Sequence, residues 1–279
     1  MSSGVYAQLH QPRLAEIVAD ALRQRILDGQ LADGELLANQ ENLLSEFAVS
    51  RPSLREALRI LEAEGLITVR RGNVGGAVVH QPQARHAAYT LALVLQARQV
   101  PLDDVGNALK QLEGTCAGLC AGRADRAEAV VPILRDCNVR AAAAIDDELG
   151  YVAATADFHS SMVNACGNET MRLMVGSLES LWLSHVHAWA KTTTQAGVFP
   201  DRAYRAEGLL VHVRITELIE AGDVTEVVRV AESHFDPQQF YLSATDGSRG
   251  VDASTMRAPG RTATPGAIRG EEKGIAEHE

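Results

Sequence analysis

Apolar residues recur at the helical period of 3.6 along most of the chain, and at a period of two only in two short runs between residues 66 and 79. Leu14, Ile17, Val18, Ala21, Leu22 and Ile26 make a first stripe over Arg13–Asp28, and Gly29 stands where a C-cap would. Asn39 is placed to cap a short second helix reaching Phe47, with Leu43, Leu44 and Phe47 on its apolar side. Ser50 caps a third, Arg51 to Glu64, with Pro52 tolerated in its first turn and Gly65 as its stop. Leu54, Ala57, Leu58 and Leu61 point inward from it, so Arg51, Ser53, Arg55 and Arg59 are left at its start and on its open sides. Leu66–Arg70 and Gly76–Val79 read as strands flanking the turn Arg71-Gly72-Asn73-Val74-Gly75.

After residue 80 the strand signal stops. A connecting helix is expected over His86–Gln96, then six more helical stretches: Pro101–Arg123, Arg126–Asn138, Asp146–Ala165, Glu169–Thr194, Asp201–Ala221 and Asp223–Phe235. Gly167-Asn168, Phe199-Pro200 and Gly222-Asp223 mark breaks. Gly114, Ala117, Gly118 and Ala121 on the first bundle helix permit close helix packing. Beyond Leu242 large apolar residues are nearly absent, so a disordered tail is expected. The fold class is mostly α: an N-terminal winged helix-turn-helix with a small β-hairpin, then an all-helical bundle. The expected divisions are a tail (1–10), the winged module (11–80), a linker helix (81–100), the bundle (101–242) and the final tail (243–279).

Composition narrows the class. At 279 residues and 46% hydrophobic content the chain has ample material for two cores. No apolar run approaches the roughly 18–20 residues that span a bilayer, and Met1–His10 lacks the basic start and apolar core of a secretion signal, so a cytoplasmic protein without a membrane partner is expected. Cys116, Cys120, Cys137 and Cys166 have no Cys-x-x-Cys spacing and read as packing thiols. Trp182 and Trp189 read as core. A net charge of −10 argues against coating nucleic acid through bulk charge. Charge is uneven, however: residues 1–85 hold nine arginines, no lysine and ten acids, with Arg51, Arg55, Arg59, Arg70 and Arg71 crowded together. A recognition helix enters the major groove by its N-terminal end, where free N–H groups and the dipole also favour phosphate. Arginine there can grip guanine O6 and N7 or clamp phosphate, Ser53 can meet base or backbone, and the wing glycines let the backbone approach a groove.

The stretch VSRPSLREALRILEAEGLI followed by RRGNVGGAVV, within residues 36–79, resembles the GntR family of bacterial transcription regulators, whose mark is Val-Ser-Arg, then Arg-Glu-Ala-Leu and a glycine wing. The resemblance implies that Arg51, Pro52, Ser53 and Arg55 contact operator DNA and that Gly72-Asn73 form the wing tip. One departure stands out: where the family enters helix two with Pro-Ser-Glu-Arg-Glu-Leu, this chain has Ala38-Asn39-Gln40-Glu41-Asn42-Leu43, and Glu41 takes the place of a DNA-contacting arginine.

Three bundle histidines sit on apolar faces of three helices: His159 with Val152, Met162, Val163 and Cys166; His212 with Ile215 and Ile219; His234 with Val227, Val230 and Ala231. Burying three unpaired imidazoles is costly, and a convergent neutral cluster is what a divalent metal binds. Residues 101–242 resemble the FadR C-terminal domain, a helical ligand-sensing module that commonly holds zinc or a similar ion (nickel or manganese). Phe158-His159, His212 and His234 match its ligands in order, but Thr155 stands four before His159 and Asp157 points elsewhere, so the implied site is three imidazoles plus water or an effector oxygen. Lys110, Thr155 and His185 are the candidate effector contacts, His185 also as a further metal contact. The expected protein is a ligand-responsive DNA-binding repressor, not an enzyme, released by a small carboxylate, and a homodimer on a pseudo-palindromic operator. The alternatives are a metal-dependent hydrolase using the three histidines, disfavoured because no carboxylate near them in sequence has the spacing of a general base, which leaves only one distant in sequence, and a DNA-binding protein whose bundle only dimerises.

Overall fold

The computed structural model describes residues 13–70, 76–234 and 250–256. The described residues divide into two compact units, one up to Gln81 and one within Pro82–Ala258. The wing positions Arg71, Gly72 and Asn73, the first twelve residues and most of the C-terminal tail lie outside the described residues.

In the first unit α1 (Leu14–Leu27), α2 (Gln40–Phe47) and α3 (Arg51–Ala63) precede the antiparallel hairpin β1 (Ile67–Arg70) and β2 (Gly76–Val79), paired Ile67 to Val79 through Arg70 to Gly76. The helix starts follow the sequence: Asn39 Oδ1 accepts from Asn42 N at 2.9 Å, and Ser50 Oγ accepts from Ser53 N at 3.4 Å. Gly29 and Gly65 adopt φ of +74°, the left-handed turn that ends a helix without a Cβ penalty. The core joins Val18, Leu22, Ile26, Leu43, Leu54, Leu58, Leu61, Ile67 and Val79. The buried face of α1 is centred on Ala15, Val18, Ala19, Leu22 and Ile26, which leaves Leu14 and Ile17, expected inside, exposed on its flank. The connector adds a third edge to the hairpin, with Leu37 N donating to Ala77 O at 2.8 Å and Val79 N to Glu35 O at 2.8 Å.

The second unit is helical: α4 (Ala84–Ala97), α5 (Leu102–Gly122), α6 (Arg126–Ala129), α7 (Val131–Ala143), α8 (Glu148–Ala165), α9 (Glu169–Ala196), α10 (Arg202–Ala221) and α11 (Val224–His234). One expected helix, Arg126–Asn138, is two. Pro132 lacks an N–H and its ring clashes with the preceding turn, so the chain breaks at Val130 and restarts as α7. The expected linker helix, α4, packs along α9 as part of this unit. Gly114 and Gly118 bring α11 against α5: a Cβ on Gly118 would lie 2.8 Å from Val228 Cγ2, and one on Gly114 2.7 Å from Glu232 Cγ. This close approach seats the end of α11, with His234, over the interior. All four cysteines are buried as free thiols.

The tail departs from the sequence expectation. Residues 250–256 pack against α4 and α9 and pair with Pro101, just before α5. Val251 and Ala253 join the main core at 4% and 3% exposure, Val251 N donates to Val100 O at 3.0 Å, and Ala253 N to Gln96 Oε1 at 3.0 Å. Ala253–Thr255 form a single turn of 3-10 helix, and two small apolar residues are too few to stand out from the polar sequence around them.

Candidate metal centre and nucleic-acid interface

On the first unit, Arg51, Pro52, Arg55 and Arg59 are exposed along α3, Ser53 is half-buried, and Arg70 is exposed at the end of β1. Arg59 pairs with Glu56 on its own helix at 3.4 Å, whereas Arg51 Nη2 reaches across to Glu41 Oε1 on α2 at 2.6 Å. No hydrogen bond or ion pair holds Arg55 among the described residues. The buried stripe of Leu54, Ala57, Leu58 and Leu61 explains this layout, because anchoring one face of α3 obliges the other to carry its cations to solvent.

In the second unit, α8, α10 and α11 bring His159, His212 and His234 together. His212 Nε2 lies 3.2 Å from His159 Nε2 and 2.8 Å from His234 Nε2, and the three donor atoms are within 4.8 Å of one another. In a tetrahedral zinc site with Zn–N near 2.0–2.1 Å, ligand nitrogens stand about 3.3 Å apart, so the cluster matches a divalent ion's first shell in donor type and spacing. The rings are held from behind. Phe158 stacks on His212 with centroids 4.1 Å apart and planes within 11°. Glu113 Oε2, buried on α5, lies 2.5 Å from His159 Nδ1, which fixes Nδ1 as the donor and turns Nε2 toward its neighbours. His212 Nδ1 is buried without a partner among the described residues.

Electrostatics separates the three rings. Burial pulls the His159 pKa down, but the charge of Glu113 and its hydrogen bond outweigh that and raise it above the ordinary value. Burial, reinforced by His234 and His159, holds His212 well below the usual imidazole range. Burial and then His159 lower His234 to about 3. Two rings are therefore neutral near pH 7, with lone pairs available to a cation. A second acid, Glu179 on α9, sits close by: burial, and next the charge of Glu113, push it up to about 9, opposed by a hydrogen bond with Ser160. Glu113 and Glu179 were not singled out from sequence. Each is a carboxylate inside an apolar stripe, Glu113 after Val105 and Leu109 on α5, Glu179 between Val175 and Trp182 on α9, and that placement was the available signal.

The remaining sequence candidates fall differently. Thr155 donates its hydroxyl proton back to the Tyr151 and Val152 carbonyls, both at 3.0 Å. Asp157 pairs with Arg140 at 2.6 Å, on another side of α8 as expected. Lys110 is half-buried on α5 and has no ion pair among the described residues. His185 departs from the role expected for it: its Nδ1 donates to Leu181 O at 3.0 Å, and its Nε2 accepts from Asp252 N at 3.0 Å in the ordered tail segment. Both nitrogens are committed within the fold, so the ring ties α9 to the tail segment. A carboxylate distant in sequence does lie beside the histidines, as the spacing argument had left open: Glu113 approaches from the Nδ1 side, away from the convergent Nε2 atoms.

A cleft of about 180 Å³ reaches His234, the one member of the cluster that lines it, and is bounded also by Tyr151, Tyr204, Arg205, Gly208 and Val211. Arg205 is 8% exposed. Its Nη1 donates to Pro200 O at 2.7 Å, and its Nε is buried without a partner among the described residues.

Comparison with known proteins places both units. Residues 14–78 match the family described as bacterial regulatory proteins, gntR family, and residues 104–237 match the FCD domain. The HTH-type transcriptional regulator LutR of Bacillus subtilis is 26% identical over 219 residues, covering 78% of this chain and 96% of its own. The HTH-type transcriptional repressor NanR of Escherichia coli is 26% identical over 233 residues, covering 82% and 84%. The Streptococcus agalactiae GntR structure shares the fold, with TM-score 0.60 and 20% identity over 79% of this chain and 96% of that one. These relatives are regulators by name, and nothing among them supports the hydrolase alternative. No described helix is long and apolar enough to cross a membrane.

Proposed function

We propose, from the match of residues 14–78 to the gntR family of bacterial regulatory proteins and of residues 104–237 to the FCD domain, that the chain is a GntR-type transcriptional regulator, and that it is a repressor released from its operator by a small carboxylate effector. The observation that carries the reading is the pairing, in one chain, of an exposed arginine-bearing α3 with a buried three-histidine centre that a solvent cleft reaches. Arg51, Ser53, Arg55 and Arg59, with Arg70 and the wing residues Arg71, Gly72 and Asn73, would meet base edges and phosphates of a pseudo-palindromic operator, bound by a homodimer. One relative is itself named a repressor.

His159, His212 and His234 would hold a divalent ion, zinc or else nickel or manganese, and the ion would offer an open Lewis-acid position to an anionic oxygen. Glu113 orients His159. Tyr151, Thr155 and His159 succeed one another at four-residue spacing on α8, as Arg205 and His212 do at two turns on α10, so a line of polar groups runs from the cleft to the centre. A carboxylate lying there has as its cation Arg205, which stands 3.8 Å from Glu148 and whose Nε is without a partner among the described residues. Lys110 is a second candidate on α5. Effector and operator affinities are reciprocally linked if they favour different states of the protein.

The test is a thermal-shift screen of Zn²⁺, Ni²⁺ and Mn²⁺, alone and with small carboxylic acids, on wild type and His212→Ala. Ligand at 100 times its Kd adds about 2.7 kcal/mol of stability, which His212→Ala should abolish for the metal. Stabilisation that survives the substitution unchanged removes the metal-centred pocket. For the DNA half, Arg55→Ala should weaken binding to a fragment of the protein's own promoter region in a gel-shift titration while its melting is unaltered.

A further inference from the structure

Among the exposed arginines of α3, Arg51 is the one tied to another helix of the helix-turn-helix. Its Nη2 meets Glu41 Oε1 at 2.6 Å, with the two side chains 61% and 70% exposed. Both ends of this contact are rooted in capped first turns: Glu41 is the second residue of α2, behind the Asn39 cap, and Arg51 is the first residue of α3, behind the Ser50 cap. The backbone beneath each side chain is thereby fixed, and the carboxylate selects one orientation of a long cation that would otherwise sample many.

We propose that Glu41 is a specificity-determining residue of the DNA interface, one that holds Arg51 for reading a G·C base pair in the major groove. This rests on the DNA-binding reading above and goes beyond it. Three physical effects act together. A guanidinium has five N–H donors, and committing Nη2 to Glu41 leaves further N–H donors for the two parallel bonds that guanine O6 and N7 require. Restricting the side chain before binding reduces the rotamer freedom lost on complex formation. The carboxylate also bears a second, exposed oxygen that can accept from a cytosine N4 amino group but repels phosphate, so it favours Arg51 on a base edge over Arg51 on the backbone. The expected consequence is an interface with sharper discrimination at one base pair and weaker general attraction to DNA. Arg55, which has no such partner among the described residues, is left for phosphate or a neighbouring base.

The experiment is selection of duplexes from a randomised library with the full-length protein, followed by titration of the selected duplex and all its single-base variants. Wild type, Glu41→Gln, Arg51→Ala and the double variant are compared. Arg51→Ala is expected to lose about 5- to 150-fold discrimination at one G·C pair per half-site, the range for a bidentate arginine–guanine contact. Glu41→Gln should lose several-fold discrimination at that same pair, bind unselected DNA as tightly as wild type or more so, and add nothing to the loss in the double variant. A Glu41→Gln profile identical to wild type overturns the proposal. So does a loss spread evenly over all positions, which would mark a merely structural contact. Wild type that enriches no sequence overturns the underlying DNA-binding reading as well, and is told apart because it fails before any substitution is made.

Discussion

Replacing Glu113 by glutamine tests how the histidine centre is built. The carboxylate is 2.5 Å from His159 Nδ1, with its side chain 3% exposed and that of His159 19%, so the contact works with little solvent screening. Glutamine keeps the shape and can still accept the Nδ1 proton through its carbonyl oxygen, but it carries no charge. Loss of an outer-shell partner of a ligating histidine typically costs 10- to 100-fold in metal affinity, equivalent to about 1.4–2.7 kcal/mol. Zn²⁺ affinity of the full-length protein, measured by competition with a chromophoric chelator at pH 8, should fall by that amount. The pH dependence has a definite sign. In wild type Glu113 raises the His159 pKa, so below that raised pKa a proton competes with the metal. In Glu113→Gln burial acts unopposed and the competing proton leaves, so the penalty should narrow as the pH is lowered. Zn²⁺ affinity within twofold of wild type at pH 8, or a penalty that widens in acid, would refute the reasoning.

Further outcomes follow from other contacts. Val251→Asp places a charge where a 4% exposed side chain joins the main core; thermal melting should fall by an amount equivalent to about 2–4 kcal/mol, and amide exchange should rise in α4 around Gln96, while an unchanged melt would mean that the tail segment does not dock. Gly118→Ala forces a Cβ to 2.8 Å from Val228 Cγ2; calorimetry should register about 1–3 kcal/mol of lost stability from overpacking, with Zn²⁺ affinity falling because α11 carries His234. Glu179, an acid with its folded pKa raised to about 9, contributes stability that is fully present below its unfolded value and lost as pH rises through the folded one. Glu179→Gln should therefore melt progressively higher than wild type from pH 5 to pH 9, and a difference independent of pH would contradict the burial assigned to that carboxyl.

The helix-turn-helix unit was legible in the sequence because its information is local. Caps at Asn39 and Ser50, stops at Gly29 and Gly65, and the four-residue stripe of α3 are each decided within one or two turns, and the exposure of Arg51 and Arg55 follows once that stripe is buried. The inward faces of His159, His212 and His234 were readable for the same reason. Their convergence was implied by the resemblance to the FadR C-terminal domain and not by periodicity, which says which side of a helix is apolar and nothing about which helices meet. Pairings over long separations decided the rest. Glu113 reaches His159 across 46 positions and His185 meets Asp252 across 67, contacts with no local signature. The same separation explains the tail: Val251 and Ala253 are too few to announce a buried segment, and only a groove already formed by α4 and α9 makes docking them favourable. Sequence by itself thus determined the elements, their buried faces and the kind of chemistry each carries; tertiary packing alone decided which carboxylate serves which imidazole, because burial and charge are properties of neighbours in space.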